Sequence, residues 1–520
     1  MGRTGALLLS SALVCSLGCG SRQQVHGAAD SFPGARWRTS TPEEQGIDSA
    51  RLRRMLEHVR TNGTDIDGVV VVRHGHLVFE SYRAPYHADT PHNLKSTSKS
   101  ILSALVGIAL REGTLDGLDQ RLSEIFPEHF AAVDDPRKRD LTLRHLLTMT
   151  AGLAWEENSP ESDRLWESSD WVRDTVRLPL RDPPGVKFTY STALTHLASA
   201  AIARESGMTT RAFAERYLFD PLGIHAGPWR RDPQGIHRGG FDLFLTPRDV
   251  ARFGHLYLRD GRWNGRQVVP RAWVAASTRR QVDTGGWEGL PGSYGYWWWI
   301  EPDAYLALGL GGQVLVVAPE HDLVVVFTCA APLDVPVGLF RGYIAPALRS
   351  APLPPDPEAQ RALAALAREL EEPRLVEAPR VPEQAARIAG SSFRLEPNPF
   401  GFTGLRLRCA DARACSLELA TPGWTSVLPV GLDGRYRVSK PAELGDLPVA
   451  SRGAWEDPES ATPTFLLSVV PVGDPVRMAV RLTFEGDRVS VTVVRRSFDV
   501  REWTFAGAGR PGPATTPPGK

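Results

Sequence analysis

The segment Ser96-Thr97-Ser98-Lys99 runs straight into Ser100-Ile101-Leu102-Ser103-Ala104-Leu105-Val106-Gly107-Ile108-Ala109-Leu110, and this junction constrains the chain more than any other feature. Ile101, Leu102, Leu105, Ile108 and Ala109 recur at helical spacing, which predicts a largely buried helix with Gly113 as its stop signal. A three-residue step is close to one helical turn, so the Ser96 hydroxyl and the Lys99 amine share a face. A lysine one turn inside a buried helix loses water, and desolvation disfavours its charged form. A neutral amine beside a hydroxyl can take that hydroxyl's proton, and the helix N-terminus favours the negative charge that develops. The pair reads as an activated nucleophile. A Ser-x-x-Lys match alone is a common accident; opening a buried apolar helix is what separates this one from a surface pair.

A chain of 520 residues implies two or more domains, and 42% hydrophobic with 23% charged residues is the composition of a folded protein. The formal net charge is zero, which argues against nucleic acid as a partner. The N-terminus reads as an export signal over residues 1–18, with Arg3 as the positive start and Ala6 to Val14 as a short apolar core. That core is too short for a permanent membrane span. Ser16-Leu17-Gly18-Cys19 resembles a bacterial lipobox, which implies lipidation of Cys19, with plain secretion as the alternative because Ser16 stands where leucine is usual. Cys409 and Cys415 flank a short turn and could pair in an oxidising compartment, while Cys329 ends an apolar strand and reads as a buried thiol. No Cys or His spacing suggests a metal site, and His74 and His76 fall on a hairpin turn. No cofactor is expected.

Residues 19–37 read as a polar tether, Asp48 to Arg60 as a helix, and Gly68 to Arg73 with His76 to Glu80 as a β-hairpin. A helix-rich stretch then runs to about residue 225. Thr246 and Pro247 open a further helix as N-cap and first-turn proline. Strands are expected over Tyr294 to Ile300, with the three tryptophans 297–299 alternating faces, and over Gln313 to Ala318 and Leu323 to Cys329. Two strands, a helical insertion and a return to strands describe an α+β domain, an antiparallel sheet with helices around it, over residues 38–350. Proline-rich composition marks 351–387 as a linker containing a short helix. Residues 388–506 show only strands and turns and read as a separate β-barrel or sandwich, followed by a Pro/Gly tail over 507–520.

Turnover by a Ser–Lys pair needs a second proton carrier and an oxyanion hole. Pro184-Gly185-Val186-Lys187-Phe188-Thr189-Tyr190-Ser191-Thr192 places Tyr190 on a loop before a helix, where a neighbouring lysine could stabilise its phenolate. Gly309-Leu310-Gly311-Gly312-Gln313 precedes an apolar strand, and its glycines allow close approach of backbone to a substrate carbonyl. His145 lies among Leu143, Leu146 and Leu147 and reads as structural, and no Gly-x-Ser-x-Gly elbow occurs.

In this order and spacing, the three motifs resemble those of the serine β-lactamase and penicillin-binding-protein superfamily. They are most similar to its class C-like branch, with esterases, D-alanyl carboxypeptidases and 6-aminohexanoate-dimer hydrolases. Leu143 to Leu153, the Leu245 to Asp249 helix start and Tyr294-Gly295-Tyr296-Trp297-Trp298 extend the likeness, which spans roughly residues 38–350. The resemblance implies Ser96 as acylated nucleophile, Lys99 and Tyr190 sharing the base work, and an oxyanion hole from the Ser96 N–H and the glycine turn, with Gly311 and above all Gly312 as candidates. Thr192 stands where the lactamases carry a substrate-contacting Asn, and no Lys or His lies between Glu301 and Gln313. Both departures favour an ester or small amide over a β-lactam or peptidoglycan substrate. A non-catalytic binding protein on the same fold is the reading from another class. The small-molecule substrate is the one partner expected, with membrane contact only through the lipid anchor.

Overall fold

The structure, a computed structural model, describes residues 32–34, 36–286, 289–373, 375, 388, 391–409, 413–456, 462–497 and 499–510. Cys19 and the expected leader lie outside the described residues. Helix α1 (Ser49–Thr61) starts at Asp48, whose side chain accepts the Arg51 N–H. The hairpin follows as β1 (Ile66–Arg73) and β2 (His76–Tyr82), turning through His74 and Gly75, both left-handed. The buried helix is α2 (Ser98–Arg111), and α3 (Thr192–Ser206) and α4 (Pro247–Leu258) complete the set that matters for the site. Thr246 caps α4 by accepting the Asp249 N–H, as its position before Pro247 predicts.

The sheet continues through β3 (Val282–Asp283), β4 (Ser293–Tyr294), β5 (Trp299–Ile300), β6 (Tyr305–Gly309), β7 (Gln313–Ala318) and β8 (Leu323–Cys329). Its order is β2-β1-β8-β7-β6-β5-β4-β3, antiparallel throughout, with Val71 opposite Val325 and Val325 opposite Val316. The central strands are apolar runs because they are buried along their whole length. Helix α4 lies across β7 and β8 at Gly254, where a Cβ would come within 2.7 Å of Val324 and 2.8 Å of Leu315.

Three boundaries differ from the sequence reading. Trp37 is buried in the main core and Arg252 donates to the Gly34 carbonyl, so the described end of the tether packs on the domain. The helix inside the expected linker, α5 (Pro357–Glu371), belongs to the first domain: Leu363 and Leu366 join its core, and the Leu370 carbonyl accepts the Ala84 N–H. Its proline-rich entry hides an amphipathic helix that needs the α1 and β2 surface to bury its leucines. The expected strand Tyr294 to Ile300 is interrupted, because Trp297 adopts φ 63° and the Gly295 N–H donates to the Trp298 carbonyl. All three tryptophans are buried around this turn instead of alternating along a strand.

The C-terminal domain is a barrel of β9 (Ser392–Leu395), β10 (Gly404–Cys409), β11 (Ala414–Ala420), β12 (Thr425–Gly431), β13 (Arg437–Ser439), β14 (Val449–Glu456), β15 (Thr464–Pro471), β16 (Arg477–Glu485), β17 (Arg488–Arg496) and β18 (Val500–Arg510). Its order is β12-β11-β10-β9-β18-β17-β16-β15-β14, closed by a parallel contact of Gly431 with Arg452, while β13 flanks β14. The last strand runs into the expected tail. Gly507 and Gly509 belong to it, paired with Leu395 and Phe393 of β9, where a Cβ would come within 2.8 Å and 2.7 Å of those side chains. Cys409 and Cys415 form a disulfide, and Cys329 is free and buried.

Candidate active site

Ser96 lies on a single 3-10 turn, Lys95–Thr97, that leads into α2, so the nucleophile candidate sits just outside the α-helix and not on its first turn. Lys95 before it is left-handed (φ 48°), and Thr97 Oγ1 donates to the Gln313 carbonyl at 2.9 Å, pinning the turn to β7. The Ser–Lys pair forms as its spacing predicts: Lys99 Nζ is 2.8 Å from Ser96 Oγ. Lys99 is 1% exposed. Burial pushes its pKa down to about 8, against the opposing charge of Glu157.

Three segments close around this amine. The N-terminus of α3 brings Thr192 Oγ1 to 2.9 Å, and the loop before α4 brings the Gly240 carbonyl to 3.2 Å. Only glycine fits at 240, where a Cβ would stand 2.3 Å from Thr195 Oγ1 and 3.1 Å from Lys99 Nζ. Tyr190, 8% exposed, presents its ring 5.0 Å from Lys99 Nζ and stacks on Trp299 at 5.9 Å. The chain before Tyr190 is tied to the loop after Leu147: Thr189 N–H donates to Met149 O and Gly185 N–H to Thr150 O. The aromatic run is thus the wall that holds the tyrosine, with Trp297 Nε1 bonded to Leu146 O.

Glu157 is the residue that sequence reasoning missed. Its Oε1 accepts the Thr192 hydroxyl, and its Oε2 accepts Thr192 N–H at 3.0 Å and Trp155 Nε1 at 2.6 Å. It sits in a loop between helices, where neither periodicity nor a motif marks it; the only sequence signal is a Glu156-Glu157 pair beside a tryptophan. Thr192 consequently departs from its expected role. Its hydroxyl is spent on Lys99 and Glu157, so it belongs to the network beneath the serine and not to the substrate contact.

The glycine turn also departs from expectation. Gly312 N–H donates to Gly309 O at 3.2 Å and closes the turn, so it is not an oxyanion donor. Gly311 lies under Pro475 of the barrel, which a Cβ would approach to 2.6 Å, and its carbonyl accepts Ala331 N–H and Gln313 Nε2. The close approach happens one step earlier: a Cβ on Gly309 would stand 2.3 Å from Leu94 O and 3.0 Å from Thr97 Oγ1. Among the described residues, the outer edge of β6 beyond Leu306 has no strand partner. His145 accepts the Thr142 N–H and caps its own helix, as read, and Lys187 is exposed. Among the described residues no group of His, Cys, Asp and Glu could hold a metal ion.

An antiparallel sheet flanked by helices, with a desolvated Ser–Lys pair at the sheet edge, defines a class of serine hydrolase scaffold. A sequence model of the beta-lactamase family matches residues 52–338, more than half of the chain, and the chain belongs to that family. It is 28% identical over 315 residues to the 6-aminohexanoate-dimer hydrolase of Paenarthrobacter ureafaciens, covering 55% of this chain and 79% of that protein. Esterase EstB of Burkholderia gladioli is 27% identical over 176 residues, 30% of this chain and 44% of the esterase. A solved Bacillus anthracis structure, provisionally titled a 6-aminohexanoate-dimer hydrolase, superposes with TM-score 0.50 at 22% identity, over 60% of this chain and 88% of that one. That likeness concerns the fold.

Proposed function

We propose that the protein is an exported serine hydrolase that cleaves an ester or small amide through an acyl-Ser96 intermediate. The observation that carries this reading is the 2.8 Å contact between Ser96 and a buried lysine whose pKa lies near 8. At neutral pH a useful fraction of that amine is uncharged and can accept the serine proton as the acyl bond forms. Tyr190, whose ring packs 5.0 Å from Lys99 Nζ, would share the proton with the leaving group in this reading. The tetrahedral oxyanion would take N–H donors from Ser96 and from the outer edge of β6 beyond Leu306, the role that Gly312, whose N–H closes the turn, does not fill. The named activities of the relatives, an amide hydrolase and an esterase, support the substrate class. β-Lactam cleavage is disfavoured by the lack of Lys or His between Glu301 and Gln313 and by a Thr192 whose hydroxyl is engaged by Lys99 and Glu157.

A p-nitrophenyl ester should give a burst of product and Ser96→Ala should abolish both the burst and labelling by a fluorophosphonate, with nitrocefin turned over far more slowly than the ester. A Ser96→Ala protein that labels as fast as wild type would move the nucleophile elsewhere. No adduct with any ester, amide or β-lactam would favour the binding-protein reading. Export with a lipid on Cys19 predicts incorporation of labelled palmitate in a bacterial host and its loss in Cys19→Ser; equal labelling of the two proteins rejects the anchor.

A further inference from the structure

Counting hydrogen bonds around Lys99 fixes where its lone pair points. A neutral lysine amine has two N–H donors and one lone pair. Its three partners are Ser96 Oγ, Thr192 Oγ1 and the Gly240 carbonyl. A carbonyl can only accept, so Gly240 takes one N–H. Thr192 has a single hydroxyl proton, and that proton goes to Glu157 Oε1, because the carboxylate, which acts on Lys99 as a negative charge, can only accept. The Thr192 oxygen must then accept the second N–H of Lys99. Only Ser96 remains for the lone pair.

We infer that Glu157 is a positioning residue: by fixing the direction of the Thr192 hydroxyl it leaves the neutral Lys99 amine no acceptor role except toward Ser96. This rests on the reading of Ser96 as nucleophile and Lys99 as its base. In the step it serves, the Ser96 O–H bond breaks and a third N–H bond forms on Nζ. The oxygen electron pair forms the bond to the acyl carbon, and the carbonyl π pair moves to the oxyanion. The proton passes to the leaving group when that adduct collapses, and water later takes the acyl group. The resulting ammonium is matched on all sides, with three N–H bonds facing the Ser96 oxygen, Thr192 and Gly240. The groups that face Lys99 are Glu157 from the loop after Leu153, Tyr190 and Thr192 from the start of α3, Ser96 from its own turn, and the uncharged Gly240 backbone.

Glu157→Gln is a sharp test because it reverses the polarity with little change in shape. Trp155 Nε1 and Thr192 N–H both need an acceptor at the Oε2 position, so the glutamine carbonyl goes there and its NH₂ faces Thr192 Oγ1. The threonine proton then turns to Lys99 and occupies the lone pair. The rate constant for fluorophosphonate inactivation of the folded variant should fall about 10²-fold, the lower range for losing a general base. The acid limb of its pH profile should move to lower pH, since removal of the Glu157 charge lowers the Lys99 pKa further. Thr192→Val should lose a similar factor, and Thr192→Ser should recover most of it. In the Thr192→Val background, Glu157→Gln should change the plateau rate above the Lys99 pKa less than about threefold, because there the two act through one hydroxyl. A wild-type rate and unmoved acid limb in Glu157→Gln would overturn the inference, as would a full Glu157 effect without the Thr192 hydroxyl. If Glu157→Gln does not fold, a wild-type rate in Thr192→Val overturns it alone. Labelling that survives Ser96→Ala is a different failure, that of the nucleophile assignment itself.

Discussion

At the scale of single residues, activity should follow the ionisation of Lys99. In the proposed mechanism the amine works only when neutral, and burial pushes its pKa down to about 8 from the ordinary 10.5. The sign is therefore fixed: kcat/KM rises with pH and levels above about pH 8, falling close to tenfold per pH unit below it. A profile of kcat/KM between pH 5 and 9.5 on a neutral ester checks this. A profile flat down to pH 6 would mean that Lys99 is not the base. The meeting of Ser96, Lys99 and Tyr190 was legible because each sits at a punctuation mark of the chain, a helix start or a Pro-Gly loop, where one residue's chemistry shows against its neighbours. Glu157 was not, since its role depends on a loop packing across the start of α3. The fate of Gly312 was hidden for a related reason: a glycine-rich turn is visible in sequence, but which of its N–H groups closes the turn is decided by φ angles at Gly311 and Gly312 of 77° and 83°.

Among the elements, the distance between β6 and the Ser96 turn would set the geometry of the proposed reaction. Gly309 permits that approach, as a Cβ there would penetrate the Leu94 carbonyl oxygen at 2.3 Å. Gly309→Ala should therefore push the nucleophile turn off the strand by a fraction of an ångström to an ångström, while Thr97 still tethers it to β7. Misplacement of that order costs about 10²-fold in rate. The expected outcome is a folded protein whose ester burst slows by that factor with a melting temperature only modestly lower; an unimpaired burst would show that β6 has room to move. The central strands were readable from their unbroken valine runs, and α4 from its cap. The 294–300 segment was misread because strand propensity in a Tyr-x-Tyr-Trp-Trp-Trp run overwhelms the signal of Gly295, and tertiary burial of three indoles bends the chain into a turn. Helix α5 was misassigned because proline content marks a helix start as readily as a linker.

In the whole molecule, the barrel is part of the site's architecture and not an appendage. The connection from β15 to β16 reaches over the hydrolase domain: Gly473 O accepts Asn93 N–H at 2.7 Å, Asp474 pairs with Lys95 at 3.2 Å, and Pro475 covers Gly311. Each contact lands on a residue adjacent to the Ser96 turn or to the glycine turn. The anchor is Arg477, paired with Asp67 of β1, its guanidinium over the Tyr86 ring at 5.3 Å beside a cavity of about 190 Å³ between the domains. Asp67 is 3% and Arg477 14% exposed at the side chain, so both charges are largely withdrawn from water. Asp67→Asn strands a buried guanidinium and should destabilise the protein by about 3–5 kcal/mol, measured by urea unfolding. Asp67→Leu with Arg477→Met removes both charges and should regain most of that loss. The single variant should also label more slowly at Ser96, since the strap that braces Lys95 relaxes, and the double variant should restore stability without restoring the labelling rate in full. Equal unfolding of single and double variants would show that the pair is incidental to docking. Wild-type labelling in Asp67→Asn would free the Ser96 turn from the barrel altogether.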